Sequence, residues 1–384
     1  MLRMIILDAK VAGHSVTTVL DSRIADLDPP LEADFKIIVN ALGEAENAVQ
    51  KAAESADAAC IIAPETNNTL QTLVESVERS NIPSLNSSSN AIQKVSDKIL
   101  LQKHSEKIGV PTPETITFSS EDNLETIVQT VTERIGYPAV FKPAYGAACE
   151  GLSIVTNDNQ AESAIRKIAK SASTKVIAQK LIQGVPASVT LISNGTEALP
   201  VSLNKQNVSL ETPKQASTYN GGTVPLDNAR KEDAFATAKK LVESIKGLKG
   251  YIGVDLVLTE NKPVLIEINP RLTTSYIGLR KVTNLNLAQT ILDSTLEHTL
   301  PPTQKTTGYA HFEKVKTPNP TNETLQTAIR MPELVSPPFL TQQETETYAL
   351  ICTYGKTLQQ AKHAFNKAKK QLHTIINNGG KQER

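Results

Sequence analysis

The sequence predicts an α/β protein: a Rossmann-like open α/β domain first, then a core of two α+β subdomains, then a structural C-terminal subdomain. Three observations carry this. Short apolar runs alternate with helical stretches from Met1 to about Asn86; YPAVFKPAYGAACEGLSIV reads as strand, glycine-bearing loop and strand; YIGVDLVL and PVLIEIN flank a short polar connection, Thr259–Pro263, as a hairpin does. A length of 384 residues suits two or three domains, each with its own core. The boundaries are placed at 1–90, 91–300 and 301–384, with 112–190 as a mobile small subdomain within the second.

In the first domain MIIL (Met4–Leu7), Val16–Leu20, Phe35–Val39 and Ala59–Ala63 read as buried parallel strands. Between them, Gly43–Ser55 is rich in alanine and glutamate, and Thr69–Arg79 sets Leu70, Leu73, Val74 and Val77 on one helical face. No GxGxxG follows the first strand, so a dinucleotide is not indicated. Pro64 and Glu65 end a strand, where such sheets hold ligands, so Glu65 is a candidate substrate contact or else an ordinary solvated carboxylate.

Ser87–Ser89 can cap a helix whose core stripe is Ile92, Val95 and Ile99, with Lys98 pointing away from that stripe. GVPTPET (Gly109–Thr115) breaks the helix at a domain boundary. Beyond it the pattern gives a strand, a helix over Leu124–Ile135, the strand–loop–strand run, a helix over Asn159–Ser171 and a strand over Val176–Leu181. Such a small unit suits a closing lid. Asn, Gly and Pro crowd Thr218–Pro225, which reads as a flexible or ligand-covering loop, and a helix follows over Lys231–Lys246. The C-terminal part has proline patches at Pro301–Pro302 and Pro337–Pro338, a strand TYALICTYG and an amphipathic helix over Leu358–Ile376, with no motif of its own.

Composition excludes several classes. Forty basic residues balance forty acidic ones, which gives no footing for nucleic acid or a membrane surface and favours small-molecule partners. Cys60, Cys149 and Cys352 are unpaired in spacing, which fits a reducing cytoplasm, and the apolar start is too short for a signal peptide or a membrane span. The scattered histidines form no ligand pattern.

The hairpin carries the most chemistry. Strand alternation sends Glu267 and Asn269 to one face and Ile266 and Ile268 to the other. A turn centred on Asn261 pairs Leu258 with Val264 and sets Asp255 across from Glu267. Opposed carboxylates repel unless a cation sits between them, and oxygen donors of this kind suit Mg²⁺; an ordinary half-exposed hairpin would carry the same letters. Lys142, followed by a loop with Gly146 and Gly151, can hold phosphate, or can simply lead into a structural hairpin.

The order of a helix lysine, a strand lysine with its glycine loop, the strand QKLI and the GVD…IEINPR hairpin resembles the ATP-grasp superfamily over Ser88–Leu300, and the first domain resembles its pre-ATP-grasp unit. The resemblance implies an ATP-grasp fold that uses ATP and Mg²⁺. Lys98 and Lys142 would meet the phosphates beside Gly146 and Gly151; Gln179, Lys180, Leu181 and Ile182 would form the adenine hinge; Asp255, Glu267 and Asn269 would bind metal. Two positions depart from the pattern: Gln179 stands where many relatives have glutamate, and VPAS (Val185–Ser188) stands where an acidic residue often holds the ribose.

HSVTTVLD, IIAPETNNTL, SDKILLQK, KPAYGAACEG, YNGGTVP and EINPRLTTSYIGL are most similar to those ADP-forming carbon–nitrogen ligases that join L-glutamate to tyramine or a related amine in methanofuran-like cofactor biosynthesis. The resemblance implies an acyl phosphate route with Lys142 and Arg271 as catalytic residues. Arg271, Thr273 and Thr274 would hold a substrate carboxylate or the transferred phosphate, although Arg271 can also pair with a metal carboxylate. Tyr145, Tyr219 and Tyr276 could line an amine slot. A Cys149 nucleophile is disfavoured without a partner histidine. Another amino-acid ligase of the superfamily, such as the pyrrolysine-synthesis type, and a nucleotide-binding regulator without turnover are the alternatives, and a homodimer is compatible with each.

Overall fold

The computed structural model describes residues 1–25, 30–146, 149–169, 175–302, 304–339 and 347–378. Ala147 and Ala148 of the glycine loop, and the predicted helix end at Ser171, lie outside these.

The chain opens with helix α1 (Leu2–Val11), where MIIL had suggested a strand. Met1, Met4 and Ile5 pack on a core that includes Leu279 and Leu287, and Asp8 is buried one turn on. That is helical spacing, and a short apolar run does not separate a buried strand from the inner face of a helix. Strands β1 (Thr17–Asp21) and β2 (Phe35–Val39) pair in parallel, with Val19 opposite Ile37, and α2 (Ser22–Ala25) follows β1. Helices α3 (Ala45–Ala53) and α4 (Thr69–Arg79) cover a small core of Ala53, Leu70, Val74 and Val77.

Ala59–Ala63 is extended but is not a strand; only Ala59 bridges, to Ser84. The Asn86 side chain takes over the ladder's role at Ile61, accepting from its N–H at 2.7 Å and donating to its carbonyl at 2.9 Å. A buried amide side chain thereby satisfies backbone groups that would otherwise be orphaned.

Ser88 caps α5 (Ser89–Ser96) by accepting from Ala91 N–H. The predicted stripe does not run on to Ile99: extended Asp97 ends α5 and caps α6 (Lys98–Lys107), accepting from Ile99 and Leu100 N–H. Lys98 thus stands at the first position of a new helix.

Strands β3 (Thr115–Ser119), β4 (Ala139–Pro143), β5 (Ser153–Val155) and β6 (Lys175–Lys180) form an antiparallel sheet in the order β3-β6-β4-β5. Helices α7 (Leu124–Arg134) and α8 (Asp158–Ala169) pack on it around Val131, Phe141, Ile165 and Val176.

The remaining strands build one antiparallel sheet: β7 (Val185–Ser193), β8 (Ala198–Ser209), β9 (Thr218–Val224), β10 (Gly250–Leu258), β11 (Pro263–Asn269), β12 (Tyr309–Thr317), β13 (Leu334–Phe339) and β14 (Thr347–Gly355). Their order is β11-β10-β7-β8-β9-β12-β14-β13. Helices α9 (Lys231–Glu243), α10 (Ser275–Val282), α11 (Leu287–Leu296), α12 (Asn322–Ile329) and α13 (Leu358–Asn378) accompany it. The C-terminal strands therefore complete the sheet that holds the GVD…IEINPR hairpin.

YNGGTV is an inner strand of this sheet, not a loop. A Cβ on Gly221 would lie 2.1 Å from the Phe312 carbonyl oxygen, and one on Gly222 would lie 2.2 Å from that of Lys205. Glycine here allows close strand approach, not mobility. Pro337 and Pro338 fall in β13 at the sheet's end, where proline costs no ladder bond on the open side. No helix among the described residues is long and apolar enough to cross a membrane.

Candidate active site

A cavity of about 480 Å³ opens between the two antiparallel sheets, and most of the residues singled out from the sequence line it. The β10–β11 hairpin supplies its floor. Asp255 does face Glu267, but Leu258 pairs with Pro263 instead of Val264, because a bulge at Asp255/Leu256 absorbs one residue. The bulge also turns Ile266 onto the cavity wall, against the prediction from strict alternation.

Asp255 is fixed from two sides, accepting from Gln206 Nε2 at 2.9 Å and from Asn269 Nδ2 at 3.2 Å. Burial, then the charge of Glu267, pushes its pKa up to about 8. Burial also works against the Glu267 carboxylate, but Lys98, Lys142 and Arg271 outweigh it and hold its pKa below the ordinary value. Two opposed carboxylates with an amide oxygen beside them fit a hard divalent cation such as Mg²⁺, which would remove the repulsion that keeps Asp255 protonated. The third donor is the Asn269 amide oxygen, held only weakly by Arg271 Nη2 at 3.4 Å. Among the described residues no group of three or more His, Cys, Asp or Glu is placed to hold a metal.

Two lysines stand over this floor. Lys98 Nζ donates to the Gly146 carbonyl at 2.8 Å and lies 3.7 Å from Glu267 Oε2. Lys142 is buried on β4, and its Nζ makes no hydrogen bond or ion pair among the described residues. Burial, then Lys98, pushes its pKa down to about 8 against the pull of Glu267. A desolvated ammonium without a partner is costly, and an anionic ligand in the cavity would relieve it. Gly146 lines the cavity; Gly151 does not, and its place beside Pro143, where a Cβ would sit 3.1 Å from Cδ, shows it shaping the loop instead.

Gln179, Lys180, Leu181 and Ile182 line the other end with Pro113, Val140 and Leu256. Gln179 Nε2 donates to Thr115 Oγ1 at 2.9 Å, which leaves its amide oxygen free of that bond. The Lys180 and Leu181 N–H groups are taken by the Glu114 and Pro138 carbonyls. Ile182 is the hinge residue whose backbone is unengaged among the described residues, so a planar base would find an apolar slot with one polar edge.

Glu65 does not line the cavity. Arg271 Nε lies 2.9 Å from each of its oxygens, and Nη2 lies 2.8 Å from Oε2, so the guanidinium pairs with the N-terminal domain and not with a metal carboxylate. Glu65 thereby aims Arg271 past Asn269 at the cavity. Thr273 and Thr274 do line it, at the N-terminus of α10, where helix N–H groups favour an anion. Thr273 reaches its place because β10 has Gly253 beneath it; a Cβ there would lie 2.5 Å from Thr273 Cγ2.

Of the three tyrosines proposed for an amine slot, only Tyr219 lines the cavity. Tyr276 is fully buried with its hydroxyl donating to Asp8 Oδ2 at 2.6 Å, and Tyr145 is 42% exposed with its hydroxyl on Asp97. Cys149 lines the cavity, but burial, then Glu267 and Asp255, pushes its thiol up to about 11, which does not suit a nucleophile. Sequence reasoning missed Gln206 and Ser188 on the cavity wall, and Tyr251 with Ser275 beneath Thr273. They come from separate strands and a helix start and belong to no local motif.

Residues 14–92 match the pre-ATP-grasp 3 domain family and residues 95–275 match the ATP-grasp domain family. The chain belongs to the ATP-grasp superfamily. It is 29% identical over 244 residues to the tyramine–L-glutamate ligase of Methanocaldococcus fervens, covering 62% of this chain and 66% of that protein. It is 28% identical over 239 residues to the tyramine–L-glutamate ligase of Methanocaldococcus jannaschii, covering 62% and 63%. The chain thus spans a little under two thirds of the length of these curated relatives. Among solved structures it resembles the biotin carboxylase of Campylobacter jejuni in complex with β,γ-ATP, with a TM-score of 0.76 at 19% identity over 96% of this chain and 87% of that one. That likeness shows the fold alone.

Proposed function

We propose that this protein is an ATP- and Mg²⁺-dependent ligase that joins a carboxylic acid to an amine, with L-glutamate as the acid and tyramine or a related amine as the acceptor. The observation that carries the ligase reading is the Asp255/Glu267/Asn269 floor beneath Lys98 and Lys142, the latter's Nζ without a partner among the described residues, at one end of a cavity whose other end is an apolar hinge. The choice of substrates is supported by the likeness to the two archaeal ligases.

ATP held with Mg²⁺ would supply an electrophilic γ-phosphoryl group, which the substrate carboxylate takes up with release of ADP to become an acyl phosphate, from which the amine then displaces phosphate. The chain's own residues do the placing. Asp255, Glu267 and Asn269 hold the cation; Lys98 and Lys142 offset phosphate charge; the backbone around Ile182 meets the adenine. Arg271, with the Thr273 and Thr274 hydroxyls, holds the α-carboxylate so that only the γ-carboxylate reaches the phosphorus. Residues 112–190 close over the cavity and keep water from the activated acid. Their link to the β8–β9 connection includes bonds from Ile154 N–H to the Glu211 carbonyl and from Lys167 Nζ to the Gln215 carbonyl.

The test separates the two substrates. Arg271→Ala should raise the KM for glutamate at least ~10-fold, or roughly 1.4 kcal/mol of binding, and leave the KM for tyramine nearly unchanged. Since this leaves the Glu65 carboxylate unpaired, the Glu65→Gln/Arg271→Ala double variant is measured beside it. Equal shifts for both substrates would remove Arg271 from the acid site.

A further inference from the structure

We infer that Tyr219 is a catalytic residue of the second half-reaction: its hydroxyl donates a hydrogen bond to the acyl carbonyl oxygen as the amine attacks. This rests on the ligase reading and goes beyond it, because it divides the cavity by reaction step.

Tyr219 is the second residue of β9, opposite Val208, and both residues line the cavity. Its ring packs on the apolar cluster around Leu272, so the side chain is held in place. Its hydroxyl has no hydrogen-bond partner among the described residues. Its polar neighbours on that wall are engaged: Gln206 and Asn269 donate to Asp255, and Thr273 lies 2.7 Å from Ser275 Oγ and 3.2 Å from the Tyr251 hydroxyl. A tyrosine hydroxyl on a polar cavity wall, free where its neighbours are satisfied, is one kept for a ligand.

Its position decides which ligand atom. Lys98 stands 3.7 Å from Glu267 on the edge strand β11, Asp255 is on the next strand β10, and Tyr219 is on β9, with β7 and β8 between it and β10. Tyr219 thus lies on the far side of Asp255 from the phosphate-handling lysines, where the carbon of the activated acid would sit, not its phosphorus. Burial pushes the phenol above its ordinary pKa, so it is a donor at every working pH. Attack by the amine forms a C–N bond, moves the carbonyl π-pair onto oxygen, and then expels phosphate as that pair returns, the departing phosphate taking the amine's proton. A donor aimed at that oxygen is needed in this step and not in phosphoryl transfer.

Tyr219→Phe keeps the ring and removes the donor. In the full-length protein with MgATP and L-glutamate alone, scrambling of β,γ-bridge ¹⁸O in ATP reads acyl phosphate formation; adding tyramine reads amide formation. We expect scrambling within about 2-fold of wild type and amide formation down about 100-fold, as for loss of one oxyanion donor. Equal losses in both, or no loss in amide formation, would overturn the assignment. Unchanged thermal unfolding and MgADP binding exclude a merely structural effect; should Tyr219→Phe fail either, 3-fluorotyrosine at position 219, which keeps ring and hydroxyl and changes only the phenol's acidity, replaces it, a rate change confined to amide formation supporting the donor and equal or absent changes in both half-reactions overturning it. If the wild type itself makes no amide, the ligase reading falls, and this inference with it.

Discussion

Glu267→Gln should cut turnover by about 10³-fold, roughly 4 kcal/mol of transition-state stabilisation, at saturating Mg²⁺. The change keeps shape and removes one charge from the pair that faces a cation. It takes away the counter-charge of Lys98 and Lys142, but Asp255, directly across and held protonated up to about pH 8 by burial and by Glu267, can then ionise in its place. The variant should therefore fold as well as the parent, with an unchanged far-UV spectrum and a melting temperature no lower by more than a few degrees. Steady-state ADP formation with Mg²⁺ and with Mn²⁺ checks it. Turnover like that of the parent would remove Glu267 from the metal site.

Lys142→Ala should lower turnover by about 10²-fold and weaken nucleotide binding by about 10-fold, because a charge-assisted contact in a partly dry cleft is lost. A pH signature accompanies it. Burial lowers the Lys142 pKa to about 8 in the free protein, and phosphate beside it favours the charged form, so the pKa rises on binding. Below pH 8 the ammonium is already charged and its contribution to affinity is level. Above pH 8 the free protein loses the proton, so binding must take one up and affinity falls by up to about tenfold per pH unit. Calorimetry in buffers of different ionisation heat reads the proton uptake directly. It should be present in wild type at pH 8.5 to 9 and absent in Lys142→Ala; a level affinity to pH 9.5 in wild type would contradict the contact.

What the sequence revealed follows physical lines. The hairpin was legible to the pair Asp255/Glu267 because strand alternation and a short connection leave few registers, and the bulge altered Ile266 without disturbing that pair. The Ser88 cap and the helix over Thr69–Arg79 rest on local patterns and are present as read, whereas Phe35–Val39 is the parallel strand expected but not buried, with Phe35 and Ile38 exposed. What failed depends on distant neighbours. MIIL is a helix because its apolar side meets Leu279 and Leu287, and YNGGTV is a strand because β8 and β12 approach its glycines. Glu65 lies 206 positions from its partner Arg271, and nothing near it in sequence distinguishes a loop carboxylate from a buried ion pair. Gln206 is invisible for the same reason: it gains meaning only when the β7–β8 and β7–β10 pairings bring it to Asp255.

The most direct test of the ligase reading is phosphate release by the purified protein with MgATP, L-glutamate and tyramine, singly and together, with mass analysis of the product. The account predicts release only when acid and amine are both present, one phosphate per amide, and a product with the mass of γ-glutamyltyramine. Steady release without an acceptor, or ATP bound with no release under any pairing of amino acid and amine, would contradict it.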